Sequence, residues 1–260
     1  MNQDYYKNYY HLERNHWWFV VRQEILKQEL QKIITSENKN DLKILNIGIA
    51  TGKTTEMLSE FGEVTSVEYD SACAEFVRQK LNIEVIEGSI LELPFKENSF
   101  DLVCAFDVVE HVEDDKKAVS EMSRVCKTKG RICITVPAFQ SLWSHHDEVN
   151  HHFKRYKMSE IAKLFDLQSK VLINNYSFKI LRKTYFNSFL FIPIWLFRKL
   201  IVLIPKQFIR RGSGSDFEIY KGNNFLDSIL RSVFRIEKKI LQKNISFSFG
   251  VSLLFFVEKK

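Results

Sequence analysis

The stretch Lys43-Ile44-Leu45-Asn46-Ile47-Gly48-Ile49-Ala50-Thr51-Gly52-Lys53-Thr54 decides the fold. Residues 44–47 are apolar enough for a buried strand, and 53–61 read as a helix. Gly48 lets the backbone turn sharply between them. Small residues at Ala50 and Gly52 let a ligand lie against the main chain at the helix N-terminus. A phosphate-binding loop needs four residues between its first Gly and its Gly-Lys-Ser/Thr. Gly48 and Gly52-Lys53-Thr54 are separated by three. A dinucleotide turn, G-x-G-x-x-G, would place glycines where Ala50 and Lys53 stand. A G-x-G-x-G turn with Ala50 in the middle is the third reading.

Outward from this loop, short apolar runs alternate with amphipathic helices. Residues 64–68, 85–86, 100–106 and 131–136 read as strands, and 72–81 and 114–126 as helices. Lys129-Gly130 is a tight turn into the fifth strand. Ser159 caps a helix ending near Phe165, 171–176 reads as a further strand, and 247–257 as the last. Such alternation implies a parallel sheet covered on both faces, with ligands beyond the carboxyl ends of its strands.

Glu68 ends the second strand, and a carboxylate there can accept both ribose hydroxyl protons. The segments that follow form an ordered series: Glu87-Gly88-Ser89-Ile90, Leu93-Pro94-Phe95, Ser99-Phe100-Asp101-Leu102-Val103, Val109-Glu110-His111-Val112, Arg124-Val125-Cys126-Lys127 and Lys129-Gly130. From about residue 42 to 137 the chain resembles the type 11 group of class I S-adenosylmethionine-dependent methyltransferases. The resemblance implies an α/β, Rossmann-like, seven-stranded sheet whose last strand is antiparallel. It implies S-adenosylmethionine as cofactor. Gly48, Ala50 and Gly52 would hold its methionine part, Glu68 its ribose, and Ser89 and the Ile90 backbone its adenine. Asp107 would lie near the methionine amine or the reacting centre. Asn46 and Ser89 stand where the group usually has acidic residues, and each keeps a hydrogen-bonding side chain. The other motif residues have structural roles available: Asp101 can bond backbone, and His111 reads as a helix-start histidine.

The loop after Pro137 follows a strand end on the ligand side. It carries His145-His146-Asp147 and His151-His152-Phe153-Lys154-Arg155-Tyr156. These resemble an H-D…G-H-x-R-R-Y pattern in a subset of the same enzymes. That subset also carries an N-terminal E…H-W-W-F…R segment, matched by Glu13, His16, Trp17, Trp18, Phe19 and Arg22. His146 and His152 are candidate catalytic bases near neutral pH. Asp147, Arg155, Tyr156 and Trp17 are candidate substrate contacts. The same residues could instead form a hydrogen-bond network that staples the loop. The spacing of His146, Asp147, His151 and His152 fits no standard metal set, so no metal is expected.

The organisation divides into a helical cap at 1–40, a core at 41–177 and 245–260, and a helical insertion at 178–244. The net charge of +6 is uneven. Residues 182–243 hold thirteen Lys or Arg against four Asp or Glu, which suits an anionic membrane surface or a solvated face. The apolar run 189–204 is broken by Pro193, Arg198 and Lys199. That pattern reads as an interfacial element or a cap over the substrate, not a membrane span. A second amphipathic helix follows Phe225. The four cysteines form no C-x-x-C pair and sit in apolar segments, as in a reducing compartment. No apolar signal core opens the chain, so a cytoplasmic enzyme, peripheral at the inner face of the membrane, is expected. The acceptor is expected to be a small molecule, glycan- or lipid-linked. An RNA methyltransferase and a non-catalytic cofactor-binding module are the alternatives. Nucleic acid is the weaker partner because no RNA-binding module is recognisable, and no obligate protein partner is evident.

Overall fold

A computed structural model describes residues 3–34, 42–165, 176–201 and 224–260. The polar residues 36–41, nearly all of the expected strand at 171–176, and the stretch Gly212-Ser213-Gly214-Ser215 with Arg210 and Arg211 before it lie outside these residues. Seven strands form one sheet: β1 (Leu42–Ile47), β2 (Gly62–Glu68), β3 (Val85–Glu87), β4 (Phe100–Phe106), β5 (Cys126–Pro137), β6 (Phe178–Phe186) and β7 (Ser252–Lys259). Their order is β3-β2-β1-β4-β5-β7-β6. The first five run parallel, and β7 is antiparallel to both β5 and β6. Seven strands with an antiparallel last strand are as the resemblance implies, although the sixth lies at other residues than expected.

The strand sequences explain the order. β4 is a nearly continuous apolar run because helices cover both faces of a central parallel strand. β7 likewise buries Leu253 to Val257 completely between β5 and β6. β6 is the correction. Residues 178–186 were expected to open a helical insertion, yet they form the edge strand. An edge strand buries fewer of its side chains, and Lys179, Arg182 and Lys183 supply the charge that keeps such an edge from pairing further. Basic composition therefore disguised it, and the insertion begins after Phe186.

Helices α5 (Asp115–Val125) and α7 (Met158–Leu164) cover one face of the sheet. The other face carries α2 (Trp17–Ile33), α3 (Lys53–Leu58) and α9 (Asn224–Gln242), packed on Leu102, Cys104, Cys133, Leu254 and Phe256. Helices α1 (Gln3–Asn15), α4 (Ser71–Leu81), α6 (His145–Val149) and α8 (Phe191–Ile201) complete the described set. The N-terminal segment is thus more than a cap, since Val21, Ile25, Leu26 and Leu30 of α2 are fully buried core. All four cysteines are buried and free. No described helix is long and apolar enough to cross a membrane.

Polar anchors fix α2 and the insertion to the sheet. Glu29 of α2 is fully buried and pairs with Arg182 of β6 at 2.7 Å and Lys32 at 2.6 Å. Glu237 of α9 accepts the N–H groups of Ser188 and Phe189, at 2.9 and 2.8 Å, just after β6. Removing one partner of a buried ion pair leaves the other charge uncompensated, which costs about 3 kcal/mol. Glu29→Ala is therefore expected to lower unfolding free energy by about 3 kcal/mol in urea melts. A loss indistinguishable from that of an exposed control such as Glu63→Ala would remove Glu29 from this role.

Candidate functional site

The site forms where the strands β1, β2, β4, β5 and β6 end. In the loop after β1, Gly48, Ala50 and Gly52 have φ of +71°, +48° and +89°. A side chain at Gly48 would collide with Val108, and one at Gly52 would approach Leu81 to 2.5 Å. The loop therefore needs both its glycines. Its backbone donors are already directed. Glu68 Oε2 accepts the N–H groups of Ile49 (3.0 Å) and Ala50 (3.3 Å), and Oε1 those of Tyr69 (2.9 Å) and Asp70 (3.0 Å). Glu13, reaching down from α1, accepts the Thr51 N–H at 3.2 Å and bonds the Thr51 hydroxyl. Burial raises both carboxyls above their usual range, against the pull of these donors.

This arrangement tests which ligand fits. A pyrophosphate needs free N–H donors and an absence of nearby negative charge. Here carboxylates occupy the donors of residues 49–51 and surround the turn with acidic oxygens. A ligand bearing ribose hydroxyls, an ammonium and a sulfonium suits such a turn, because each can be received by carboxylate oxygen. The residues present fit S-adenosylmethionine, which Glu68 would hold by its ribose and the turn by its methionine part.

The remaining expected cofactor residues take distinct places. Asn46 is fully buried beneath the loop, and its amide donates to Thr54 (3.2 Å) and Thr55 (2.9 Å). It braces the start of α3 from below, which corrects the expectation of a direct ligand contact. The Ser89 hydroxyl accepts the Leu91 N–H at 3.1 Å and shapes its own turn, while Ile90 is buried core. Asp107 follows β4 with φ +58°. Its Oδ2 accepts from Arg22 at 2.6 Å, and its Oδ1 from Thr135 at 3.0 Å. The side chain remains partly open and lines a cavity of about 630 Å³.

That cavity runs from Asp107 to the insertion. Its apolar wall includes Leu190, Pro193, Ile194, Phe197, Leu226 and Leu230, and its polar end includes Glu110, His111, His146, His152 and Arg155. Trp17 lines it and packs edge-on against Phe234 of α9. Asp147 is fully buried and does not face the cavity. It accepts from His152 Nδ1 and Arg155 Nε, both at 2.8 Å, and from the Ser144 N–H at 2.9 Å. Those partners hold its carboxyl far below the usual range despite burial. Tyr156 is a further correction. It is wholly inside the core, with its hydroxyl on the Val109 carbonyl and Asp115, so it supports the site without touching a ligand.

The histidines present different edges. Asn150 Nδ2 lies 3.3 Å from His146 Nδ1, so an amide donated there leaves the His146 proton on Nε2. His152 spends its Nδ1–H on Asp147, leaving the Nε2 lone pair free of that bond. His111 stands edge-to-face with His152, ring centroids 4.6 Å apart, with the Asn150 backbone nearby. Desolvation by the protein packed around it, with His152 beside it, lowers His111 to about 4, although the residue keeps an exposed side. Sequence reading set His111 and Glu110 aside as a helix start. Their position, in the turn directly after Asp107 on the ligand edge, was the available signal. Glu13 and Arg22 were visible only as members of a resembling segment, and the structure shows what each one holds.

Comparison with known proteins agrees with the geometry. A family described as a methyltransferase domain matches residues 45–134. An uncharacterised protein of Methanocaldococcus jannaschii is 31% identical over 171 residues, covering 65% of this chain and 68% of the relative. A demethylmenaquinone methyltransferase of Staphylococcus aureus is 31% identical over 41% of this chain and only 50% of its own length. The solved structure of a SAM-dependent methyltransferase from Archaeoglobus fulgidus superposes with a TM-score of 0.56 at 16% identity, covering 98% of this chain and 99% of that one. The strand order, the carboxylate-lined turn and these likenesses converge: the chain belongs to the class I S-adenosylmethionine-dependent methyltransferases.

Proposed function

We propose that this chain methylates an apolar, lipid-linked or quinone-like small molecule bound in the cavity beyond Asp107. The observation that carries the reading is the cavity's division into a long apolar wall, built by α8 and α9, and one polar end. A purely polar metabolite would leave that wall unused. The likeness to a demethylmenaquinone methyltransferase supports the same acceptor class.

S-adenosylmethionine, when bound, supplies a methyl group already activated on sulfonium sulfur. The chain's task is alignment and exclusion of water. The turn at Gly48 to Gly52 and Glu68 bind and orient the cofactor. The apolar wall seats the acceptor's body. The polar end, with Glu110, His111 and His152, receives the acceptor hydroxyl, amine or acidic carbon that is to lose its proton. Asp147 fixes the tautomer of His152, and Arg155, held on Asp147 and the Ala138 carbonyl, keeps that loop closed.

Membrane contact belongs to the same reading. Ile192, Leu196 and Leu200 of α8 and Phe225 and Ile229 of α9 are exposed around the cavity's apolar side. Such a cluster suits the headgroup boundary from which a lipid-linked acceptor would enter. The basic residues contribute less than their number suggests. Arg198 is buried and donates to the Leu142 carbonyl at 2.5 Å, so it does not face a headgroup surface. Arg235 and Lys238 pair with Glu24 of α2, and Arg231 bonds the Asn15 carbonyl. This internal use of cations also weighs against an RNA-binding face.

Calorimetry is expected to show S-adenosylmethionine binding, weakened about 10- to 100-fold in Glu68→Gln, the loss of charged hydrogen bonds worth about 1.5–3 kcal/mol. Unchanged affinity would move the ribose site elsewhere. With labelled methyl donor and extracted cell material, label should enter the organic phase. Label confined to RNA would favour the nucleic-acid reading, and cofactor binding without any transfer would favour a non-catalytic module. In sedimentation with anionic vesicles, the double substitution Ile192→Asp, Leu196→Asp should abolish binding. Equal sedimentation of wild type and variant would refute the apolar contact.

A further inference from the structure

We propose that Glu110, His111 and His152 bind a first-row divalent cation at the polar end of the cavity. The ligating atoms of these three side chains lie within 4.8 Å of one another. All three residues line the cavity. A carboxylate oxygen and two imidazole nitrogens form a donor set that zinc, cobalt(II), nickel(II) or iron(II) accepts. The cavity side is left for an exchangeable ligand.

Glu110 supplies the independent observation. It is fully buried, and neither carboxylate oxygen has a hydrogen-bond partner among the described residues. A buried carboxylate without donors is costly, and a bound cation removes that cost. The histidines add a second argument. Metal-binding imidazoles ordinarily donate their other ring N–H to a carboxylate or a backbone carbonyl. His152 does so to Asp147 at 2.8 Å, and His111 has the Asn150 backbone nearby. One ligand atom from each of the three side chains thus falls within the same small space at the cavity's polar end. Arg22 and Arg155 act on the Glu110 charge from a distance, but neither donates a hydrogen bond to its oxygens, and each is paired with another carboxylate.

The cation's place in methyl transfer rests on the reading of the cavity as the acceptor site; its binding does not. A cation here would hold an acceptor oxygen and favour its deprotonated form, with the proton leaving to solvent. The set escapes sequence reading because it joins a turn after β4 to the loop after β5. The four-residue grouping within that loop, His146, Asp147, His151 and His152, is not the one assembled.

The test is titration of the tag-free, chelator-stripped full chain with Co²⁺ alone, read by visible absorption and equilibrium dialysis. Wild type should take up one Co²⁺ with an absorption spectrum of mixed nitrogen and oxygen ligation. His111→Ala and His152→Ala should lose the spectrum, and Asp147→Asn should weaken binding about 10- to 100-fold. Circular dichroism on each variant confirms folding, and the exposed His111 position makes that variant the decisive one. No uptake at millimolar Co²⁺, or an unchanged spectrum in folded His111→Ala, overturns the proposal. Calorimetry with S-adenosylmethionine on the same samples separates the two claims. A chain that binds the methyl donor but no Co²⁺ refutes the cation site and leaves the methyltransferase reading standing.

Discussion

Arg22 reaches from α2 to Asp107 at the end of β4, 2.6 Å away, and on to Thr135 of β5 at 3.3 Å. The guanidinium is buried, so its charge requires that carboxylate. Two parts of the molecule meet at this one pair. It ties α2 to the end of β4. It also receives Asp107 in its left-handed conformation at the edge of the cavity.

Carboxylates give the ligand edge its chemical character. Glu13 and Glu68 take the turn's backbone donors, and Asp107 and Glu110 stand past β4. A fold that elsewhere cradles phosphate on free N–H groups is here prepared for a cationic ligand. Selectivity between cofactors thus comes from who occupies the turn's donors, as much as from the glycines that shape it.

The cavity has two builders with different histories in the chain. Its polar end comes from the loops after β4 and β5, stapled through Asp147. Its apolar wall comes from α8 and α9, which lie after β6 and are anchored by Glu237. Asp147 and Tyr156 are expected as substrate contacts from the loop pattern they resemble. Their complete burial makes them the support that leaves His152, His146 and Arg155 at the surface of the cavity.

Much of the fold was legible along the chain because local patterns decide it. The Gly48–Gly52 turn, the apolar strands and the carboxylate at Glu68 each depend on neighbours close in sequence; the parallel strands followed from their alternation, and the antiparallel last strand from the family resemblance. Three features depended on partners far away. Residues 178–186 became a strand because β7 offered an edge, although their basic composition suggested an insertion. Asn46 turned inward because Thr54 and Thr55 receive its amide below the loop. Glu110, His111 and His152 converge because β4 and β5 are adjacent in the sheet. The sequence by itself determined a Rossmann-like methyltransferase core with a cofactor turn after the first strand. Only the tertiary structure decided which polar residues face the cavity and which hold it up, since burial is a property of the packed layers.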